Sequence, residues 1–197
     1  MRLRVGHGDK SRKGSVDEQI VPLLQQINSR PNMFTTSSCA GRIQVLGVTA
    51  SREKGDKHWL FTSHEGATGD DIRGAMARAP DECIEVWFHC ESPILHVCCR
   101  RVRDAARLLR AARLIGLKYG GIQAINTQRA RVMLELTGNM RIAVPLMLGR
   151  GVAGANGEGR PGRVVLVDEG ELDVLGVYAT RRLIEARECF MRLVAHL

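Results

Sequence analysis

Aromatic residues make up only 4% of this 197-residue chain, so its core must be built mainly from aliphatic side chains. No apolar run reaches the roughly 18 residues that a helix needs to cross a bilayer. The first residues, MRLRVGHGDKSRKG, also lack the apolar stretch of a secretory signal. We therefore expect a soluble, cytoplasmic protein with no membrane partner.

The six cysteines include no CxxC pair and show no repeated spacing. Their pattern argues against a zinc ribbon or a secreted disulfide framework and favours reduced, mostly buried thiols. A Cys83–Cys90 disulfide stays an open alternative, particularly for a hyperthermophile. His89, Cys90, His96 and Cys98 are also metal-binding residue types, but strand alternation places them on different faces, so we predict no metal site.

Basic residues exceed acidic ones by eight, and 24 of the 29 basic residues are arginine. Guanidinium groups bind phosphates bidentately and stack on bases, which suits a nucleic-acid partner. Genomic base composition or thermal adaptation is the alternative explanation. One predicted helix face carries four arginines, which form either a solvated face or a track for RNA phosphates: Arg103, Arg107, Arg110 and Arg113.

A helix is predicted near the start of the chain. Ser15 and Glu18 have the form of a capping box, and apolar residues then recur at helical spacing until Pro31. Strands and one short helix follow. The predicted strands are Phe34–Cys39, Arg42–Val48, His58–Ser63, Cys83–His89 and Ile94–Cys99, and the short helix spans Asp70–Ala79.

A similar order of elements follows in the second half of the chain. A helix from Asp104 to Ile115 precedes the predicted strands Tyr119–Ile125, Arg131–Leu136 and Ile142–Leu148. The repeated order indicates an internal duplication, with repeats at about 9–79 and 83–148. We predict a single α+β domain over residues 1–197 that contains two related helix-plus-antiparallel-strand units, with a cleft between them as the natural site.

The last part of the chain combines a glycine-rich segment with helical sequence. Residues 149–163 follow a strand and lead into another short apolar run, 164–167, so no helix N-terminus would meet a phosphate there. We interpret them as a surface loop. Residues 171–197 are predicted to be helical, with a break at Gly176 left open.

The segment TTSSCAGR, residues 35–42, joins two predicted strands through Ala40 and Gly41. A two-residue turn would place Cys39 opposite Arg42 in a hairpin. Hydroxyl, thiol and guanidinium groups would then share one sheet face that suits a carboxylate, phosphate or ribose. An ordinary polar hairpin is the alternative. The residues on this predicted face are Thr35, Ser37, Cys39, Arg42 and Gln44.

Several motifs together resemble the tRNA wybutosine-synthesizing protein 3 family. They are DKSRKGSVDE (9–18), FTTSSCAGRI (34–43), WLFTSHE (59–65), ILHVCCR (94–100) and YGGI (119–122). The resemblance extends over roughly residues 9–148. It departs where an expected Arg-Ser-Thr-like stretch reads Leu136-Thr137-Gly138.

The resemblance implies a methyltransferase of the wybutosine pathway. The absence of a strand–GxGxG–helix start argues against the usual Rossmann methyltransferase core. Family members transfer a methyl group from S-adenosylmethionine to the N-4 ring nitrogen of a demethylated wyosine derivative beside the anticodon of phenylalanine tRNA. The family's serine-rich motif corresponds to Ser37, Ser38, Cys39, Gly41 and Arg42, with Thr35 where some members have serine. Its N-terminal aspartate corresponds to Asp9, followed here by Lys10 and Ser11, and two further positions correspond to His64 and His96.

These positions support a mechanistic hypothesis. N-4 loses a proton during methyl transfer, so we expect Asp9 or His96 to accept it while the other orients the substrate. The remaining positions would bind the base or the amino-acid end of the methyl donor. Two rivals are a non-catalytic tRNA-binding accessory protein and a metal-dependent hydrolase built on His89, His96 and cysteines.

Overall fold

The computed structural model describes residues 16–51, 56–149 and 162–197. Asp9, Lys10, Ser11 and the predicted helix cap Ser15 lie outside the described residues. The chain divides into two compact units. Among the described residues, unit 1 contains 16–41, Ser92–Asn139 and Ile184–Leu197, and unit 2 contains Arg42–Glu91 and Met140–Leu183.

Runs of strands separated by helices form an α+β order, as predicted. The helices are α1 (Val21–Asn28), α2 (Gly69–Ala77), α3 (Val102–Leu114) and α4 (Glu169–Met191), and short 3-10 segments occupy Glu18–Ile20 and Arg192–His196. The strands are β1 (Met33–Cys39), β2 (Arg42–Thr49), β3 (Lys57–Ser63), β4 (Cys83–Glu91), β5 (Ile94–Cys99), β6 (Tyr119–Asn126), β7 (Arg131–Thr137), β8 (Arg141–Gly149) and β9 (Arg163–Val165). None of the helices within the described ranges is long and apolar enough to span a membrane.

Unit 1 contains an antiparallel sheet with the strand order β1-β5-β7-β6. Strand β7 shows how alternation assigns its two faces: Val132, Leu134 and Leu136 are buried, whereas Glu135 between them is only partly buried. The buried face packs into a core with α1 and α3. Helix α3 contributes Ala105, Leu108 and Ala112 at helical spacing.

Unit 2 contains a second antiparallel sheet with the order β3-β2-β4-β8-β9. Strand β2 lies between β3 and β4 and is buried from Ile43 to Gly47. Both units are discontinuous in sequence, and each takes strands from both predicted repeats. The compact units therefore do not coincide with 9–79 and 83–148, while the duplication itself stays a prediction.

The predicted hairpin between Phe34–Cys39 and Arg42–Val48 is wrong. Strand β1 pairs with β5 in unit 1, and β2 pairs with β3 and β4 in unit 2. Cys39 lies opposite Ile94 and Arg42 opposite Glu91, so the residues of the predicted polar face belong to two different sheets. The turn prediction used two neighbouring residues only. Strand pairing depends instead on which apolar faces each sheet buries.

Two helix predictions also change. The first helix is α1, preceded by the 3-10 turn Glu18–Ile20, and Ser15 is outside the described residues. Helix α4 continues through Gly176. A side chain at this glycine would lie 2.8 Å from the carbonyl oxygen of Ala67, so the glycine permits close packing within unit 2 and does not break the helix.

All six cysteines are free thiols, so the Cys83–Cys90 disulfide is not formed and the prediction of reduced thiols is confirmed. Four of them are buried: Cys83, Cys90, Cys98 and Cys99. Burial raises the pKa of Cys99 to about 12 and raises the pKa of Cys83 and of Cys98 above its ordinary value. Because the thiolate is the nucleophilic form, these buried groups should react slowly.

A thiol-alkylating reagent at about pH 8 should therefore label Cys39 and Cys189 first, since these two thiols are partly exposed. Mass spectrometry of peptides from the native protein measures the order of labelling. Protein unfolded in urea is the control, in which all six cysteines should react at similar rates. Labelling of native Cys99 as fast as Cys39 would contradict the burial described above.

Candidate functional site

Three polar side chains form a continuous row across the unit 1 sheet. Ser37 on β1 lies opposite His96 on β5, which lies opposite Glu135 on β7. Ser37 Oγ is 3.0 Å from His96 Nδ1, and His96 Nε2 is 3.0 Å from Glu135 Oε2. Directly opposed residues share one sheet face, which explains how three strands bring these groups together.

The hydrogen-bond partners determine which tautomer a neutral His96 adopts. An ionised carboxylate only accepts hydrogen bonds, so His96 Nε2 donates to Glu135. The other nitrogen of a neutral imidazole, Nδ1, then accepts the hydroxyl proton of Ser37. The row can accept a proton at its Ser37 end, because the imidazolium that forms would be stabilised by Glu135.

A bulge in β1 positions Ser37 in this row. The pairing of β1 with β5 shifts between Thr35 and Ser37, so that Thr35 opposes Val97 and Ser37 opposes His96. Thr35 is buried, and its N–H donates to Asn28 Oδ1 at 2.8 Å. Its hydroxyl oxygen accepts a hydrogen bond from Asn28 Nδ2 at 3.0 Å. Thr35 thus anchors the strand to α1.

The Ala40–Gly41 turn after β1 is held by buried charged residues. Asp17 Oδ2 accepts the N–H of Ala40 at 2.8 Å. Arg187 donates from Nε to the carbonyl oxygen of Ala40 at 2.7 Å and from a terminal nitrogen to that of Gly41 at 3.3 Å. Gly41 has φ +78°, a left-handed conformation that favours glycine. These side chains therefore form hydrogen bonds with the backbone of the turn, where strand pairing does not.

A second polar group lies on the unit 2 sheet. Arg42 Nε is 3.4 Å from Glu91 Oε2, and Gln44 Nε2 donates to the same oxygen at 3.1 Å. The Arg42 guanidinium also lies over the ring of Trp59, 5.4 Å from its centre. His64 directly follows β3 in the same unit and is partly buried.

The structure thus divides the predicted site residues between the units. Thr35, Ser37, Ser38, Cys39, Gly41 and His96 belong to unit 1, and Arg42 and His64 belong to unit 2. Ser38 opposes Leu95 and so lies on the sheet face opposite Ser37, whereas Cys39 returns to the face of Ser37.

Sequence reasoning missed Glu135, Asp17, Arg187 and Glu91. Two of these four residues could have been identified from the sequence pattern. Glu135 is the single acid in the alternating strand RVMLELT, on the side opposite Val132, Leu134 and Leu136. Arg187 lies at helical spacing between the apolar residues Leu183 and Phe190 in the last predicted helix, where a buried charged residue requires partners. Asp17 and Glu91 carry no comparable signal.

The family model described as "Methyltransferase TYW3" matches residues 1–197. The chain belongs to this methyltransferase family. The family resemblance drawn from the motifs is therefore confirmed.

Two relatives agree with this family assignment. A protein of Pyrococcus furiosus named "tRNA(Phe) 7-((3-amino-3-carboxypropyl)-4-demethylwyosine(37)-N(4))-methyltransferase 1" is 40% identical over 131 residues, 66% of this chain and 66% of that protein. A Methanocaldococcus jannaschii protein with the same name, without the final numeral, is 32% identical over 182 residues, 92% of this chain and 86% of its own.

A solved structure of the PH1069 protein from Pyrococcus horikoshii matches with a TM-score of 0.75 and 33% identity. The match covers 93% of this chain and 86% of that one. The predicted α+β class is therefore confirmed. The matched part of the chain spans slightly less than two thirds of the length of the Pyrococcus furiosus relative.

Proposed function

We propose that this protein is an S-adenosylmethionine-dependent methyltransferase that acts on the N-4 ring nitrogen of a demethylated wyosine derivative in phenylalanine tRNA. Family membership and the names of the relatives support the reaction and the substrate. The observation that carries the proposal is the Ser37–His96–Glu135 row, which can accept the proton that N-4 loses. Six free thiols agree with a reducing cytoplasm.

Arg42 and Gln44 on the unit 2 sheet have side chains that fit the amino-acid end of the methyl donor. Gln44 Oε1 is buried and has no hydrogen-bond partner among the described residues, although Gln44 Nε2 is bonded to Glu91. A buried amide oxygen without a donor is costly, and an ammonium group would satisfy it. The guanidinium of Arg42 suits a carboxylate. We assign these two residues to the ammonium and carboxylate of S-adenosylmethionine.

The Ser37–His96–Glu135 row in unit 1 supports a proposed proton step. S-adenosylmethionine supplies an activated methyl group, and N-4 must lose its proton as it accepts that group. Ser37 Oγ accepts the proton while its own hydroxyl proton passes to His96 Nδ1, 3.0 Å away. Glu135 stabilises the resulting charge through His96 Nε2. Asp9, outside the described residues, stays a candidate for orienting the base, with Lys10 and Ser11 beside it.

The activity test combines methyl-labelled S-adenosylmethionine with phenylalanine tRNA that carries the unmethylated tricyclic base. Label should appear in that base at enzyme excess, and tRNA that already carries the methyl group is the matched control. A protein that binds the tRNA but transfers no label would instead be the non-catalytic accessory protein. Label in other nucleotides would overturn the assigned position.

Replacing Glu135 with glutamine should lower kcat by roughly tenfold or more while KM for tRNA is unchanged, because the amide no longer stabilises an imidazolium. Glu135→Asp should restore part of the rate. Steady-state kinetics at saturating methyl donor separate kcat from KM. Glu188→Gln is the matched control, since Glu188 is exposed on α4. An equal loss in both variants would remove Glu135 from its positioning role.

A further inference from the structure

Unit 1 contains a cavity of about 430 Å³ beside the first residues of β1. Its lining comes from residues 30–33, from one side of α3 and from the 3-10 segment at Arg192–His196. The volume lies within the range of pockets that bind small organic ligands. Neither the Ser37–His96–Glu135 row nor the turn at Ala40 and Gly41 contributes to this lining.

The lining is rich in basic side chains. Arg30, Arg107, Arg110 and His196 all contribute to it, and Asp104 is the acidic side chain among them. Guanidinium groups that line one cavity suit a phosphate, which they bind through charge-assisted hydrogen bonds. Leu108 and Ala111 on α3 add an apolar wall. Charge and apolar surface together suit a nucleotide better than an inorganic ion.

Two buried polar atoms of the lining have no hydrogen-bond partner in the part of the chain that the structure describes. One is Nε of Arg30, a donor, and the other is Oδ2 of Asp104, an acceptor whose residue is only 6% exposed. Leaving such atoms unpaired is unfavourable, so native proteins rarely do so without a ligand or a water. The two atoms require opposite partners, as a nucleotide offers: an anionic oxygen for Arg30 and a hydroxyl or amino group for Asp104.

We propose that this cavity binds a nucleotide of the tRNA other than the one that is methylated. The arginines bind its phosphate, and Asp104 accepts a hydrogen bond from its ribose hydroxyl or base amino group. Met33 lines the cavity, whereas Ser37 lies four residues further along β1, about 13 Å away at the rise of a strand. Because of that separation, the cavity and Ser37 contact different nucleotides of the tRNA. The inference rests on the proposed function for the identity of the RNA.

The arginines of α3 provide a charge-matched test. All four are exposed, but Arg107 and Arg110 line the cavity, whereas Arg103 and Arg113 lie on the same helix outside its lining. The double variants R107A/R110A and R103A/R113A lose the same charge. Binding of phenylalanine tRNA is measured without methyl donor by fluorescence anisotropy at salt concentrations between about 0.05 and 0.2 M. Circular dichroism checks that both variants are folded.

R107A/R110A should bind the tRNA roughly tenfold more weakly than the wild type. The slope of log affinity against log salt should decrease in magnitude by about 1, the contribution of one phosphate contact. R103A/R113A should stay within about twofold of the wild type. Equal losses in both variants would overturn the proposal, because they would show a general effect of charge.

Adenosine monophosphate serves as the probe for a free nucleotide. Binding of this mononucleotide as tight as that of tRNA, and lost in R107A/R110A, would overturn the assignment to RNA. Since binding is measured without the methyl donor, the result is independent of catalysis. A wild-type protein that binds tRNA through the cavity but transfers no methyl group would contradict the proposed function and leave the cavity's role intact.

Discussion

Replacing His96 with alanine should reduce the rate of methyl transfer by roughly 10²- to 10⁴-fold, the usual contribution of a positioned acid or base. The reason is the position of His96 in the row, 3.0 Å from Ser37 Oγ on one side and 3.0 Å from Glu135 Oε2 on the other. Without the imidazole, Ser37 has no acceptor for its proton and Glu135 no cation to stabilise. Single-turnover transfer of labelled methyl groups to the tRNA measures the effect.

His58→Ala is the matched control for this experiment. His58 lies on β3 in unit 2, where its ring nitrogen is 3.3 Å from Glu82 Oε1, and it has no part in the proposed reaction. The control should keep nearly the wild-type rate. Affinity for tRNA should be unchanged in both variants, which separates chemistry from binding. A His96→Ala protein that works at the wild-type rate would exclude His96 as the proton acceptor and favour Asp9.

Replacing Arg187 with methionine should lower the free energy of unfolding by about 3 kcal/mol, because two buried carbonyl groups lose charged donors. Arg187 is only 8% exposed, and it donates to the carbonyl oxygens of Ala40 and Gly41. Methionine has a similar length and is apolar, so the variant tests the hydrogen bonds more than the packing. Equilibrium unfolding in urea, followed by circular dichroism, measures the loss.

Arg192→Met is the control for Arg187, since Arg192 is an exposed residue of the same unit and the charge change is identical. Its effect on unfolding should stay within about 0.5 kcal/mol. A comparable loss in both variants would show that net charge, and not the clamp on the turn, determines the stability. The Arg187 variant should also lose catalytic activity, because the turn follows β1 and helps to position Ser37.

The sequence allowed prediction of the secondary structure and the family, and it located two of the three residues of the proton-accepting row, Ser37 and His96. Alternation predicted β5 and placed His96 on a strand, and helical periodicity predicted α3 within a few residues. Motifs from Phe34 to Ile43 and from Ile94 to Arg100 identified the family, which the family model confirms. These features are local, so neighbouring residues suffice to determine them.

Strand pairing was not predictable in the same way. A two-residue turn at Ala40 and Gly41 favoured a hairpin, but β1 pairs with β5, which is more than fifty residues away in the sequence. Asp17 and Arg187 come from distant segments, and their side chains form hydrogen bonds with the backbone of the turn. A hairpin would have formed hydrogen bonds between its two strands instead. Burial of each sheet's apolar face decides such pairings, and a short sequence window does not contain that information.

By itself, then, the sequence determined the elements, the serine-rich strand and the histidine that the family motif places on β5. Only the tertiary structure showed that Arg42 and Ser37 belong to different sheets and that Glu135 lies opposite His96. The physical reason is that a hydrogen bond depends on a few tenths of an ångström between residues of separate strands. Their register, including the bulge after Thr35, is determined by the packing of the whole unit.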